Sequence, residues 1–416
     1  LHDPIDKPLV LMQTGVRHEE RARRLQELLG LADLPDASPA SDHVASAMER
    51  AFVPERATDG GRIALDFLQN PEIRHPFSGR RLEGLGDFSD LALDRATSGV
   101  EDAVEVVADR IGEEADFQQA FFTLWRTLLP APRERAPAAV APYWPVLPAD
   151  TRIPDHGVFQ HLTVTSAFSG MEMVGEDLYT DATFLLVTLG PAQAFIQQAR
   201  KTQDLYWGSA LLSRLTWTAM TPVVERYGPD AVFFPDLYGQ PLVDKWLHEH
   251  HGISLPADGR VSDTTVPTLP NRFFAVVEAG DRQARADLLG DIEAAVHERL
   301  DALAGAVFDS GVVPEEKQGR VPTDAVAHHL RDALSVHGVA LPYQPGDAPL
   351  TATGVLDAAE GRVGGGELAA LRELVNVADG PETRYDASPG HVYSLLHTLT
   401  EKLLAADEVT CWTCGS

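Results

Sequence analysis

The first part of the chain carries apolar residues at the spacing of an amphipathic helix. Residues 18–34 place a row of leucines on one face of a charged helix. Residues 41–52 repeat the pattern, with Ser41 or Asp42 as a candidate N-cap, and a longer helical pattern runs from about 100 to 129. These periodicities predict a helical amino-terminal domain.

Two stretches break this helical pattern. Residues 71–90 are rich in glycine, proline and charge, which is typical of irregular backbone. Residues 130–148 contain six prolines, so we expect an extended connector there. A further helix follows Pro154, and the helical domain should end near Met173.

After residue 180, short apolar runs replace the helical spacing and predict buried strands. We expect these strands at residues 183–189, 231–235, 272–278 and 338–343. A helix over 192–201 follows the first strand, and a long helix over 281–308 follows the third. The order βαββαβ, with a helical insertion after the first helix, is typical of a ferredoxin-like layout, which cyclases and polymerase palms share with many unrelated proteins. The pattern therefore predicts a multi-domain α+β protein.

Composition narrows the class of protein. The chain has 416 residues, room for about two to four domains, and a formal net charge of -28. So acidic a chain argues against autonomous nucleic-acid binding; either solubility at high salt or basic partner subunits would explain the charge. No apolar run reaches the roughly 18 residues that a membrane helix needs. Two cysteines and no visible signal peptide favour the cytoplasm.

The chain opens with a pair of residues that could bind a metal ion. His2 and Asp3, followed shortly by Lys7, offer an imidazole and a carboxylate from one short piece of backbone. HD phosphohydrolases use such a pair to hold metal and activate water. A lone His-Asp pair is also common by chance in chains of this length.

A second group of candidate ligands lies in the segment DTRIPDHGVFQH, which contains Asp150, Asp155, His156 and His161. Five residues on a continuous helix correspond to a rotation of about 140°, so the two imidazoles would not share a helix face. They converge only if His156 lies in the loop at the helix start and folds back over the first turn. Alternatively, Asp155 is an N-cap and His161 is a partly buried residue without a ligand role.

Two further patterns suggest ligand sites. Gly190 permits a tight turn into a helix whose N-terminus could receive a phosphate, and Gly208-Ser209 is expected to open a second helix. A purely structural helical connection explains these residues equally well. Cys411 and Cys414 form half of a four-ligand zinc site, which predicts that the natural protein continues and supplies a second pair.

Taken together, these segments resemble the large subunit of type III-B (Cmr-type) CRISPR effector complexes. The most specific segment is TLGPAQAFIQQARKTQDLYWGSALLS, which begins in the first predicted strand. The other matching pieces, in the order of that family, are LHDPIDKPL, HEERA, HPFSG, LPADTRIPDHGVFQHLTVTSAFSG, RYGPDAVFFPDLYGQPLVD, LPNRF and CWTCG. The resemblance covers nearly the whole chain.

The resemblance implies an amino-terminal part of that subunit. Residues 1–175 would form a permuted, helical HD phosphohydrolase-like domain, and residues 180–345 a first palm with a ferredoxin-like fold of the cyclase and polymerase type. Residues 346–416 would form a linker and the start of a helical zinc-binding domain. In that family a second palm with a GGDD motif makes cyclic oligoadenylate from ATP, and the chain contains no GGDD. The candidate glycines and serine after the first strand would belong to the other half of that nucleotide pocket.

The resemblance also implies site residues and cofactors. His2, Asp3, His156 and His161 would bind metal with support from Asp150, and His2 and Asp3 would be catalytic. The expected ion is Mn²⁺, Ni²⁺ or Co²⁺, and single-stranded DNA is the family's expected substrate. Zn²⁺ is expected at the cysteine pair, and ATP with Mg²⁺ in the full-length protein.

The implied function is that of a subunit of an RNA-guided antiviral interference complex, assembled with other Cmr-type subunits, crRNA and target RNA. An alternative is a scaffold whose HD residues are vestigial and which docks neighbouring subunits at the crRNA 5′ end. A stand-alone phosphohydrolase acting on small phosphoesters would leave the predicted palm unexplained.

Overall fold

The computed structural model of the protein describes residues 2–11, 13, 17–33, 41–42, 44–46, 66–75, 78–112, 115–151, 154–171, 181–253, 255, 264–311, 323–343, 351–378 and 389–405. The chain divides into two compact units. Unit 1 comprises Leu1–Ser169 and Val243–Ser262, and unit 2 comprises Gly170–Leu242 and Asp263–Ser416.

Unit 1 is predominantly helical where the structure describes it. Its helices up to residue 169 are α1 (Lys7–Val10), α2 (His18–Leu28), α3 (Leu93–Ile111), α4 (Phe117–Thr127) and α5 (Val158–Ser169). Residues 41–46 are also helical at the positions described. Buried side chains of these segments, among them Leu9, Leu25, Val104 and Trp144, form one hydrophobic core.

The helical pattern predicted over residues 100–129 is divided between two helices. Gly112, with a φ of 72°, ends α3, because glycine adopts a positive φ at little cost. Asp116 then caps α4, its side chain accepting a hydrogen bond of 2.7 Å from the backbone N–H of Gln119. Apolar periodicity continues across this break, so the pattern alone did not reveal the two caps.

The prediction of an extended connector over residues 130–148 is wrong. This segment contains two short 3₁₀ helices, Ala131–Glu134 and Ala141–Val146. Proline suits the first positions of such turns because its φ is already fixed near the helical value. Trp144 is fully buried, and its indole N–H donates to the carbonyl of Leu129 at 3.0 Å. Burial of this large side chain folds the segment back onto the core.

Unit 2 is built on a four-stranded antiparallel sheet with the strand order β2-β3-β1-β4. The strands are β1 (Ala182–Gly190), β2 (Val232–Phe234), β3 (Arg272–Glu278) and β4 (Ser335–Pro342). All four predicted strands are present, and the mixed helical and β fold is confirmed. β1 pairs on both sides and is almost wholly buried, as its continuous apolar run predicts.

In chain order after β1, the described helices are α6 (Ala192–Ile196), α7 (Thr202–Tyr227), α8 (Pro241–His251), α9 (Arg282–Asp309), α10 (Thr323–Ala333), α11 (Ala352–Ala358), α12 (Gly365–Ala378) and α13 (Pro389–Ala405). From Val243 onward α8 belongs to unit 1, and the other helices belong to unit 2. The helix predicted over 192–201 ends at Ile196, and Gly208-Ser209 lies inside α7 instead of opening a helix. α7 and α9 pack together and against the sheet, while α13 packs against β1 and β4. Among the described residues, no helix is both long enough and apolar enough to cross a membrane.

Candidate metal centre

The His-Asp pair lies on the turn that leads into α1. α1 begins at Lys7 and has a proline in its first turn. The carbonyl of Asp6 accepts hydrogen bonds from the backbone N–H groups of Leu9 and Val10, at 2.9 and 3.4 Å. Leu9 and Val10 are buried in unit 1, so the short helix anchors the turn that precedes it.

A buried ion pair holds the same turn. Arg21 of α2 donates to both carboxylate oxygens of Asp6, with Nη2 at 2.8 Å from Oδ2, and to the carbonyl of Thr97 at 2.8 Å. It also forms an ion pair with Glu101 of α3. Asp6 has no exposed surface, and a buried carboxylate without a cation is strongly unfavourable. Arg21 therefore ties the start of α1 to α2 and α3.

α5 supplies a second imidazole to the same region. The chain enters α5 through an antiparallel bridge between Pro148 and Gly157, and the N–H of Val158 donates to the carbonyl of Leu147 at 2.9 Å. These contacts set the first turn of the helix. One turn later, His161 is buried, with 2% of its surface exposed.

Four side chains from three separate segments of unit 1 converge, namely His2, Asp3, Asp42 and His161, and we call them the metal cluster. One donor atom from each lies within 4.8 Å of all the others. The two Nε2 atoms are 3.0 Å apart. His2 Nε2 lies 3.5 Å from Asp3 Oδ2 and 3.3 Å from Asp42 Oδ1. His161 Nε2 lies 3.4 and 3.2 Å from the same two oxygens.

These separations suit a divalent metal ion. Ligand atoms about 2.1 Å from a common ion are about 3.0–3.4 Å apart at octahedral or tetrahedral angles. Imidazole nitrogens and carboxylate oxygens together suit first-row transition ions such as Mn²⁺, Co²⁺ and Ni²⁺. Because both Nε2 atoms and both carboxylates face one point, a single cation could satisfy all four. The residues present therefore fit the metal that the sequence predicted.

The contacts within the metal cluster also shift the pKa values of its side chains. Burial raises the pKa of Asp3 and of Asp42, but hydrogen bonds with His161 and His2 outweigh it and hold both pKa values well below their usual range. Burial lowers the pKa of His2, but hydrogen bonds with Asp3 and Asp42 outweigh it, so its pKa is raised. Both carboxylates are therefore ionised at neutral pH, and a proton on His2 is favoured until a metal ion displaces it.

The metal cluster contains three of the metal ligands predicted from the sequence. His156 lies in the turn before α5, with Nδ1 2.9 Å from Asp155 Oδ1, and is not one of the four converging side chains. Asp150 is buried in the segment that precedes this turn, also outside the cluster. Cys411 and Cys414 lie outside the described residues.

Asp42 is the member of the metal cluster that sequence reasoning did not select. The sequence makes Ser41 and Asp42 N-cap candidates, because both precede an amphipathic pattern. Asp42 Oδ1 does accept a hydrogen bond from the hydroxyl of Ser46, at 3.2 Å, within the same helical segment. Its imidazole partners are far away in the sequence, so no local spacing marks it as a ligand.

The candidate nucleotide-binding residues lie in unit 2. Gly190 ends β1, and its carbonyl accepts a hydrogen bond of 3.2 Å from the hydroxyl of Ser335. Gly208 and Ser209 lie within α7, where the Ser209 hydroxyl donates to the carbonyl of Leu205 at 3.0 Å. Gly190 is thus at a strand-to-helix turn, whereas the hydroxyl of Ser209 is engaged within its own helix.

Comparison with known proteins identifies relatives of the chain. Residues 184–305 match the family described as CRISPR-associated protein Cmr2, N-terminal. The CRISPR system Cmr subunit Cmr2 of Pyrococcus furiosus is 27% identical over 328 residues, which are 68% of this chain and 35% of that protein. The CRISPR system CMR subunit Cmr2 of Saccharolobus solfataricus is 39% identical over 90 residues, which are 22% of this chain and 8% of that protein. The chain is a relative of Cmr2.

The resemblance to the large subunit of type III-B complexes is thereby confirmed. A solved structure of the type III-B Cmr-beta complex in its apo state contains a chain with a similar fold, with a TM-score of 0.51 and 16% identity. That similarity covers 82% of this chain and 36% of the other. The chain thus spans about a third of the length of the Pyrococcus Cmr2 that it matches.

Proposed function

We propose that the chain is part of the large subunit of an RNA-guided type III-B interference complex, and that its metal cluster binds a divalent ion to hydrolyse single-stranded DNA. One observation carries the proposal. Two imidazoles and two carboxylates from distant parts of the sequence converge at ligand spacing. Two carboxylates brought this close together and partly buried are unfavourable without a compensating cation, which favours metal binding over a purely structural role.

The residues of the metal cluster would have different roles in the reaction. All four would hold the ion, with His2 and Asp3 as the catalytic pair that the resemblance implies. A bound Mn²⁺, Ni²⁺ or Co²⁺ ion would act as a Lewis acid and activate a water molecule. The side chains of Asp3 and His161 are 5% and 2% exposed, so they form the closed side of the site. His2 and Asp42 have 16% and 38% of their side-chain surface exposed, so substrate would approach past them.

Removing single donors from the metal cluster tests this function. In calorimetric titrations, His161→Ala and Asp42→Asn should each weaken Mn²⁺ binding by at least about 100-fold, because the first removes a donor and the second replaces a charged donor with a neutral one. Both variants should also lose metal-dependent cleavage of a labelled single-stranded oligodeoxynucleotide. His328→Ala removes an exposed imidazole of α10 and should change neither result.

His156→Ala shows how far the site extends, since His156 was predicted as a ligand and lies outside the metal cluster. Retained Mn²⁺ binding would assign the site to the four converging residues, and lost binding would add His156. Unchanged cleavage in both donor variants would refute the nuclease function.

The alternative function is a scaffold with a vestigial HD site. The net charge of -28 favours it, because an acidic chain repels the phosphates of a nucleic acid. As a scaffold the chain would dock other Cmr-type subunits, which would carry the crRNA and target RNA. A wild-type protein that binds none of the three metals but still assembles with those subunits would favour this alternative.

For unit 2 we propose the role of the first palm. The support is its antiparallel sheet in the order β2-β3-β1-β4, with Gly190 at the end of a central strand. In the full-length protein this palm would provide the half of an ATP and Mg²⁺ pocket that lacks GGDD. Residues 346–416 would lead into a zinc-binding domain, with Cys411 and Cys414 as Zn²⁺ ligands.

A further inference from the structure

A lysine lies directly against the metal cluster. The ammonium group of Lys7 is 2.5 Å from Asp3 Oδ2. The same oxygen lies 3.5 Å from His2 Nε2 and 3.4 Å from His161 Nε2. Only 18% of the Lys7 side chain is exposed. Lys7 therefore shares a carboxylate oxygen with both imidazoles, although a protonated amine cannot itself bind a metal.

α1 fixes the position of this lysine. Lys7 is the first residue of α1, whose remaining residues, Pro8, Leu9 and Val10, are all buried. The backbone is thus held, while the side chain has a flexible four-carbon stem. The ammonium group can turn away from Asp3 and still remain beside the metal cluster.

The charges of the metal cluster indicate when the ammonium group of Lys7 would turn away from Asp3. Asp3 and Asp42 carry two negative charges, which one divalent ion would neutralise in full. Two cations on one carboxylate oxygen repel each other, so a metal ion would compete with Lys7 for Asp3 Oδ2. Once the metal ion occupies that oxygen, the charge of Lys7 is surplus and attracts an anion.

We propose that Lys7 is a substrate-binding residue, released from Asp3 by the metal ion so that its ammonium group binds a non-bridging oxygen of a nucleotide phosphate beside the ion. Lysine binds phosphate as a compact point charge, which needs no fixed orientation of the substrate. The inference rests on the proposed metal site and adds to it the group that recognises the phosphate. The ligand class is a phosphate ester of a nucleotide, as in single-stranded DNA.

The first test measures competition between Lys7 and the metal. Lys7→Met removes the ammonium group and keeps the length of the side chain. In calorimetry, the full 416-residue protein with this change should bind Mn²⁺ about tenfold more tightly than the wild type. Lys7→Arg keeps the charge and should bind Mn²⁺ like the wild type. Equal or weaker Mn²⁺ binding by Lys7→Met would overturn the proposed release.

The second test measures recognition of phosphate without any cleavage. Mn²⁺-loaded protein is titrated with thymidine 5′-monophosphate, the smallest piece of single-stranded DNA that carries the phosphate. Lys7→Met should bind it about tenfold more weakly than the wild type, and Lys7→Arg should recover most of the affinity. Equal affinity in Lys7→Met, or no binding by the wild type, would overturn the role in recognition.

Control variants distinguish failure of the proposed metal site from failure of the proposed role of Lys7. Lys245→Met removes an exposed lysine of unit 1 that pairs with Glu249, and should leave both affinities unchanged. If His161→Ala retains full Mn²⁺ binding, the proposed metal site itself fails. If His161→Ala loses Mn²⁺ and Lys7→Met behaves like the wild type, only the role of Lys7 fails. Melting curves in EDTA check that each variant folds, and Lys7→Gln replaces Lys7→Met if the methionine variant does not.

Discussion

At the scale of single residues, the charges of the metal cluster depend on one another. The pKa of His2 is raised above its ordinary value of 6.5, so its contribution to stability is complete below pH 6.5 and is lost as pH rises through the folded pKa. The pKa values of Asp3 and Asp42 are lowered, so their contributions are present above the ordinary value of 3.8 and are lost as pH falls. The metal-free cluster should therefore be most stable between these two limits.

This linkage gives a prediction for the metal-free protein. In EDTA, the melting temperature of the wild type should fall as the pH rises above 6.5, because His2 loses the proton that its carboxylate partners stabilise. His2→Gln should show a smaller fall over the same range. The measurement is a series of thermal melts at constant ionic strength, and identical slopes for the two proteins would refute the assignment.

At the scale of elements, α3 makes a backbone contact that depends on one glycine. Gly99 is buried in α3, and a Cβ atom there would lie 2.7 Å from the carbonyl oxygen of Arg135. A backbone oxygen cannot turn aside as the end of a flexible side chain can. The close approach of α3 to the segment after the first 3₁₀ helix therefore requires glycine at this position.

Replacing Gly99 should separate the effect of packing on stability from the effect of helix propensity. Gly99→Ala should lower the free energy of unfolding by about 1–3 kcal/mol, because the added methyl group overpacks the contact. Gly290→Ala is the matched control, since Gly290 lies in α9 with nothing within 4 Å of the new Cβ. It should raise the free energy by about 0.5–1 kcal/mol through helix propensity alone. Urea unfolding followed by circular dichroism measures both, and a neutral or stabilising Gly99→Ala would contradict the packing described.

At the scale of the whole molecule, the dominant feature is a formal net charge of -28. Such an excess of one sign destabilises a compact chain through self-repulsion, which dissolved salt screens. The melting temperature should therefore rise as NaCl increases from about 0.02 to about 0.3 M, with most of the gain at the lower concentrations, where the screening length falls fastest. A parallel series in sucrose of equal osmolality separates screening from solvent exclusion. A flat or falling melting temperature would count against charge repulsion.

Much of the fold was predictable from local pattern. The third strand was predicted at 272–278 and is observed as Arg272–Glu278, because a continuous apolar run needs only its own residues to mark a buried strand. The proline-rich connector was predicted wrongly, since its folding depends on a pocket for Trp144 that distant helices build. The apolar periodicity also did not reveal that α3 ends at Gly112.

For the candidate site, the sequence by itself offered candidate ligands, and by resemblance it selected His2, Asp3, His156 and His161, with support from Asp150. Only the tertiary structure brought in Asp42 as the fourth donor and placed Lys7 beside Asp3 while leaving His156 outside the metal cluster. The physical reason is the range of the interactions. Helix periods, turns and short motifs are set by neighbours along the chain. The meeting of His2, Asp3, Asp42 and His161 joins residues far apart in the sequence, which only the tertiary packing of unit 1 brings together.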